Sequence, residues 1–316
     1  MVMTPLDVLS VGRISVDLYA MEPNVGFDGQ QHFQKSVGGS PTNVAVAAAQ
    51  LGLRVGLATK VGDDAFGDYI RDRLTTWGVS TEFVGTAGGK QTPLALAALT
   101  PPESPTVIFY RGPAAPDTAL TVDDVPAEVV RSARVVWISQ GSLAQGSTVE
   151  TCLEWMAMRT RDNHTVLDLD YRPSLWDSVD AAREMAARAI SLSTVVVGNR
   201  EECEVALGTS DPDTAADAIL DAGVRLAIIK LGADGALLAT STERVRIPAI
   251  PVDVVCGLGA GDAFGGSLCF GLLNDWSLDR IGRYANAAGA LVSTRLTCAD
   301  AMPRIEELTS LVGEAA

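Results

Sequence analysis

The run Cys256-Gly257-Leu258-Gly259-Ala260-Gly261-Asp262 sets three glycines in five positions directly before a carboxylate. Glycines at such spacing let the backbone turn sharply and approach a ligand closely. The apolar run Ile250 to Val255 precedes the turn, and the segment Ala263 to Leu273 has helical content, so the turn opens a helix. The first N–H groups of a helix lack internal partners and carry partial positive charge, which makes a cradle for an anion such as a phosphate. Asp262 would repel a phosphate that was merely bound there. Its presence suits a general base that takes the proton of an attacking hydroxyl. Taken alone, the same residues also make a plain glycine-rich turn with an aspartate at a helix start. Two other phosphate loops are excluded. A P-loop ends in Gly-Lys-Ser/Thr, and no lysine follows these glycines. A Rossmann fingerprint has a third glycine where Asp262 stands and belongs near the first strand of its unit.

Three further segments carry polar groups at glycine turns. Val37-Gly38-Gly39-Ser40-Pro41-Thr42-Asn43 leads into a helix; Gly38 and Gly39 let backbone approach a polyol, and Asn43 offers donor and acceptor to hydroxyls. Asn199-Arg200-Glu201-Glu202 follows a strand, and Glu202 suits magnesium held through water. Lys230, Gly232 and Gly235 form a turn able to border a nucleotide. Each alone is as simply structural as functional. Their occurrence in this order, each loop after a strand, points to one site.

The elements that must position them alternate. Strands are expected at Asp7 to Val11, Val55 to Val61, Val135 to Ser139, Thr165 to Leu169, Val195 to Val197 and Leu226 to Lys230. Helices are expected at Pro41 to Leu51, Asp64 to Trp77 (Phe66, Ile70, Leu74 and Trp77 on one face) and Asp279 to Thr294. Such alternation implies a parallel sheet covered on both faces, with ligands beyond the carboxyl ends of its strands. Gly12 to Val37 and Thr92 to Tyr110 break the pattern as strand and turn material without helices, an antiparallel flap over the site. The chain carries no internal repeat, low-complexity stretch or interdomain linker.

A chain of 316 residues with 47% hydrophobic and 20% charged residues is an ordinary globule. Its net charge of −15 argues against nucleic acid or an anionic membrane as partner, so an anionic substrate must be drawn in by local arginines. No apolar run reaches membrane-spanning length, and Met1-Val2-Met3-Thr4-Pro5 does not open a signal peptide. Five scattered cysteines without a CxxC pair suit a reducing cytoplasm, and His32 and His164 alone cannot build a multi-histidine metal site. No G-x-S-x-G elbow supports a serine hydrolase.

Gly38-Gly39 to Asn43, Asn199 with Glu202, and Gly259-Ala260-Gly261-Asp262 together resemble the signatures of the PfkB, or ribokinase-like, sugar kinases, over nearly the whole chain. The resemblance implies an α/β, three-layer fold with a central, mostly parallel sheet and a small antiparallel β flap, or lid. It implies a single domain over residues 1–316, with lid segments at about 13–37 and 92–111. It further implies ATP and Mg²⁺ as cofactors, Asp262 as base, and Gly259, Ala260 and Gly261 as the anion hole. Asp17 would grip sugar hydroxyls, while Gly257 and Asn286 would join Asn199, Lys230, Gly232 and Gly235 around ATP. A homodimer paired through the lid is a further implication.

The segments Ile108-Phe109-Tyr110-Arg111, Asp168-Leu169-Asp170-Tyr171-Arg172-Pro173 and Cys298-Ala299-Asp300-Ala301-Met302-Pro303 resemble members that phosphorylate keto-sugar acids. Tyr110, Arg111 and Arg172 then join the substrate site. A guanidinium grips a carboxylate through two parallel hydrogen bonds, although both arginines also have Asp117 and Asp170 nearby in sequence. A kinase for a neutral sugar such as fructose or ribose, and a non-catalytic sugar sensor, are the alternatives. The sequence departs from the family where Asp-Thr usually opens the second signature and Cys256-Gly257 stands instead. A thiol is a poor ligand for a hard ion, so the implied monovalent cation site does not carry over with it.

Overall fold

The computed structural model describes residues 5–112 and 114–313. The strands are β1 (Val8–Val11), β2 (Ser15–Ala20), β3 (Phe33–Gly38), β4 (Val55–Gly62), β5 (Val79–Ser80), β6 (Val84–Ala87), β7 (Leu94–Ala98), β8 (Thr106–Tyr110), β9 (Val135–Ser139), β10 (His164–Asp168), β11 (Val195–Asn199), β12 (Leu226–Lys230), β13 (Ala236–Ala239) and β14 (Arg244–Ile247). The helices are α1 (Ser40–Gln50), α2 (Ala65–Thr76), α3 (Ala127–Ser132), α4 (Thr148–Ala157), α5 (Val179–Leu192), α6 (Arg200–Leu207), α7 (Pro212–Asp221), α8 (Ala260–Leu273), α9 (Leu278–Ser293) and α10 (Ile305–Val312).

The large sheet runs β14-β13-β12-β11-β10-β9-β1-β4-β5, with β6 also on β4. It is parallel from β12 to β5, and only β13 and β14 are antiparallel. Its strands read as continuous apolar runs because both faces are covered. Val135, Trp137, Val166 and Ile228 face one core together with α1, α8 and α9. Val136, Ile138, Leu167 and Ile229 face the other, with α4, α5 and α7. Side chains thus alternate between two buried layers, the three-layer arrangement expected from the alternating elements.

A second sheet, β3-β2-β7-β8, is built from the two excursions that lack helices. It is antiparallel within each hairpin, β2 with β3 and β7 with β8, and parallel where β2 meets β7. The two excursions leave the core side by side, so their first strands run the same way. The loop between β7 and β8 reaches back to the large body, where the Gly257 N–H donates to the Pro102 carbonyl over 2.8 Å.

The contact that sets the site is α1 against α8. At Gly266 an added Cβ would stand 2.3 Å from the Ala47 Cβ, so the two helices approach at bare-backbone distance. That approach carries Asn43 of α1 to Asp262 of α8. Gly266→Ala should separate the helices and destabilise the fold by about 1–3 kcal/mol, the usual effect of overpacking. Urea unfolding checks the first effect, and turnover, which should fall as Asn43 leaves Asp262, checks the second. Wild-type values for both would contradict this account of the helix pair.

Candidate active site

Loops at the carboxyl edge of the large sheet and the inner side of the small sheet enclose a cavity of about 880 Å³. A second cleft of about 700 Å³ opens on the far side of the glycine loop. Asn199, Lys230, Gly257 and Gly261 line both. The two spaces therefore meet at the N-terminus of α8.

That N-terminus begins at Gly259, whose φ of 82° is left-handed, and no side chain caps the first turn. A Cβ on Gly259 would lie 2.7 Å from the Cys298 sulfur, so both the conformation and the space demand glycine. Asp262 sits in the first turn of α8 and accepts a hydrogen bond from Asn43 Nδ2 at 2.8 Å. Burial raises its pKa above the ordinary carboxylate range, with Asn43 pulling the other way. Asn43 Oδ1 is buried without a partner, an acceptor available to a ligand hydroxyl.

Asp17 stands across the cavity on β2. Its Oδ1 accepts from Ser15 Oγ at 2.6 Å, and the Tyr19 hydroxyl lies 3.2 Å from its Oδ2. Burial pushes its pKa up to about 6 against those hydrogen bonds. Gly39, the residue preceding α1, lines the cavity, whereas Gly38 lies behind Asp17 and does not.

Lys230, at the end of β12, lies 3.5 Å from Asp168 Oδ1 and 3.6 Å from Glu202 Oε2. Burial works against its charge, but Asp168, Glu202 and Asp262 outweigh it and hold the pKa above the usual lysine value. Asn199 and Glu202 form a reciprocal cap on α6, Asn199 Oδ1 accepting from the Glu202 N–H and Glu202 Oε2 from the Asn199 N–H. The N-x-x-E pair is thus structural and cavity-lining at once. Asp168 was not singled out from sequence; its place at the end of a buried strand is the signal that could have found it. Among the described residues no group of three or more His, Cys, Asp or Glu could hold a metal by itself. Two carboxylates sharing one ammonium do suit magnesium, which takes its remaining ligands from water and phosphate.

The sequence-derived arginines are placed differently. Arg111 and Arg172 both line the cavity, but each meets an acidic side chain of its own. Arg111 is buried and donates from both terminal nitrogens to Asp117, at 2.7 and 3.3 Å. Arg172 Nε donates to Asp170 Oδ1 at 3.0 Å. Tyr110, expected at the substrate, is 62% exposed and outside the cavity wall. Gly232, Gly235 and Asn286 line the second cleft instead, Asn286 with its amide on the Pro248 carbonyl at 3.0 Å. Cys256 is fully buried, and burial raises its thiol pKa, so it stands there neutral.

Residues 5–305 match the family described as pfkB family carbohydrate kinase. The chain belongs to that family. PfkB kinases transfer a phosphoryl group to a sugar hydroxyl. Similar curated proteins include the 5-dehydro-2-deoxygluconokinases of Shouchella clausii and Photobacterium profundum. The first is 32% identical over 98% of this chain and 96% of its own length, the second 33% over 98% and 95%. Among solved structures, a fructokinase from Vibrio cholerae O395 in fructose, ADP and calcium ion bound form superposes with a TM-score of 0.84. It is 27% identical and matches over 96% of this chain and 98% of its own. A putative ribokinase II from E. coli has a TM-score of 0.89 at 24% identity, over 98% and 99%, and shares this fold.

The raised carboxylates set a pH dependence. A group that must be ionised to work, and whose pKa is raised by burial, loses function as pH falls through that raised value. The kcat/KM of this PfkB protein should therefore decline below about pH 6, where Asp17 takes up its proton, and not near the ordinary carboxylate value of about 4. A profile flat down to pH 5 would contradict the placement of Asp17 in the working site.

Proposed function

We infer that the protein transfers the γ-phosphate of ATP to a primary hydroxyl of a keto-sugar acid, 5-dehydro-2-deoxygluconate. The observation that carries this reading is Asp262, half-buried in the wall of the first cavity and held by Asn43 beside the uncapped helix N-terminus where the two clefts meet. The relatives' names supply the substrate.

The sugar occupies the cavity between Asp17, Asn43 and the lid, and ATP the second cleft, bordered by Gly232, Gly235 and Asn286. Asp262 accepts the proton of the attacking hydroxyl. The N–H groups of Gly259, Ala260 and Gly261 receive the charge that develops on the transferred phosphoryl. Lys230, shared by both clefts, adds a fixed positive charge close to the same point. Glu202, with Asp168, would hold Mg²⁺ through water, and the ion would neutralise phosphate charge. The lid residues Val107 and Phe109 exclude water that would otherwise compete as acceptor. Cys256 gives a potassium ion no carboxylate here.

Phe33, Ile108, Phe109 and Tyr110 are exposed apolar residues on the two edge strands of the lid, which supports pairing of two copies through that sheet. Among the described residues no helix is long and apolar enough to cross a membrane. We place the enzyme in the cytoplasm, with no nucleic acid or membrane partner.

The closing of both Arg111 terminal nitrogens on Asp117 favours the neutral-sugar reading. An ATP-consumption screen over keto-sugar acids, fructose and ribose separates the two, and a blank panel with ATP still bound would favour a sensor. In the same assay Asp262→Asn should lower kcat by roughly 10²–10⁴ while leaving ATP affinity nearly intact, because the amide keeps the shape and cannot take the proton. Near-normal turnover would remove Asp262 from the role of base.

A further inference from the structure

Arg13 lines the cavity wall, and neither the sequence motifs nor the reading above gives it a part. It follows β1, and Arg172 follows β10; these strands flank β9 in the sheet, so both residues leave its carboxyl edge next to each other. The backbone at Arg13 is pinned from two sides. Its carbonyl accepts from Thr42 Oγ1 at 2.9 Å, and the next N–H, of Ile14, donates to Asp117 Oδ2 at 3.0 Å. The side chain lies against Gly141, just after β9, where a Cβ would come within 2.8 Å of the Arg13 Nε.

The guanidinium is 8% exposed, yet among the described residues Asp170 is its only acceptor, through Nη2. Nε is buried with no partner. A guanidinium carries five N–H donors, and leaving most of them unsatisfied in a buried place is costly unless a ligand completes the set. Arg172 has the same incompleteness. Its Nε is spent on Asp170 Oδ1, and nearly half of its side chain remains exposed. Asp170 thus sits between the two arginines, one carboxylate oxygen to each, and their attraction keeps it ionised despite burial. Arg111 also has a buried Nε without a partner, but both of its terminal nitrogens are closed on Asp117.

At this end of the cavity three guanidiniums face two carboxylates, Asp117 and Asp170. Asp168 and Glu202 share Lys230 in the same cavity, whose wall Asp17 and Asp262 also form. A carboxylate on the substrate is the anion that would complete the open donors of Arg13 and Arg172.

We propose that Arg13 and Arg172 together bind the substrate carboxylate, that Asp170 is the positioning residue holding both guanidiniums in place, and that Arg111 is a structural partner of Asp117. This rests on the keto-sugar acid reading and names the residues that select the acid. It moves the selectivity from the Arg111–Arg172 pair suggested by sequence to an Arg13–Asp170–Arg172 triad.

The test compares 5-dehydro-2-deoxygluconate with D-fructose as acceptors, by kcat/KM, in wild type, Arg13→Met, Arg13→Lys, Arg172→Met and Arg111→Met. Arg13→Met and Arg172→Met should each lower the acid-to-fructose ratio by about 30-fold or more, through KM and not kcat, as loss of a buried charge partner does. Arg13→Lys keeps the charge without the fork and should recover part of the loss; it also serves if Arg13→Met does not fold. Arg111→Met should lower the melting temperature and leave the ratio within about threefold. An unchanged ratio in the Arg13 variants, or a ratio lost in Arg111→Met alone, would overturn the triad while wild-type activity on the acid upholds the substrate reading. Wild-type enzyme active on fructose and inert toward the acid would overturn that reading, and the triad with it.

Discussion

The structure turns on a half-buried carboxylate beside the open end of a helix. The uncapped first turn of α8 attracts negative charge, and Asp262 sits inside that field with Asn43 as its hydrogen-bond donor. Burial raises the pKa of Asp262, which makes it a better proton acceptor near neutral pH than an exposed aspartate would be. Everything around it serves this placement. Gly259 turns the chain, Gly266 lets α8 lie on α1, and the loop between β7 and β8 bonds to Gly257. The cavity and the cleft adjoin at this point, so transfer needs no movement of either ligand across the protein.

Charge is paired inside a protein that is acidic overall. Net −15 would repel an anionic substrate at a distance, so recognition has to be local and short-ranged. Within the cavity, Arg13 and Arg172 share Asp170 after β1 and β10, and Lys230 at the end of β12 is shared by Asp168 and Glu202. The buried aspartates Asp117 and Asp170 let the arginines be held there, since a guanidinium loses much in leaving water and needs an ionised neighbour. Lys230 does the reverse for Asp168 and Glu202.

Much of this was legible in the sequence, for physical reasons. Apolar runs such as Val135 to Ser139 and Leu226 to Lys230 match their strands because strands covered on both faces cannot alternate with polar residues. Asp64 and Trp77 flank α2 as expected, Asp64 accepting from the Phe66 and Gly67 N–H groups. The glycine loop announced itself because few residue types fit its geometry. The β13–β14 hairpin was not read, and its four-residue strands are too short for a periodic signal. What a side chain meets across the fold was also hidden. Nothing local says that Arg111 closes on Asp117 from both nitrogens, that Tyr110 turns outward, or that Asp170 bridges Arg13 over 157 positions.

The most direct measurement is a crystal structure of the complex with a non-hydrolysable ATP analogue and 5-dehydro-2-deoxygluconate. The account predicts the primary hydroxyl oxygen within about 3.2 Å of an Asp262 carboxylate oxygen. It also predicts the γ-phosphate against the N–H groups of Gly259 to Gly261, with the triphosphate running into the cleft beside Asn286. A sugar bound with its hydroxyl away from Asp262, or a γ-phosphate that does not reach the α8 N-terminus, would contradict it.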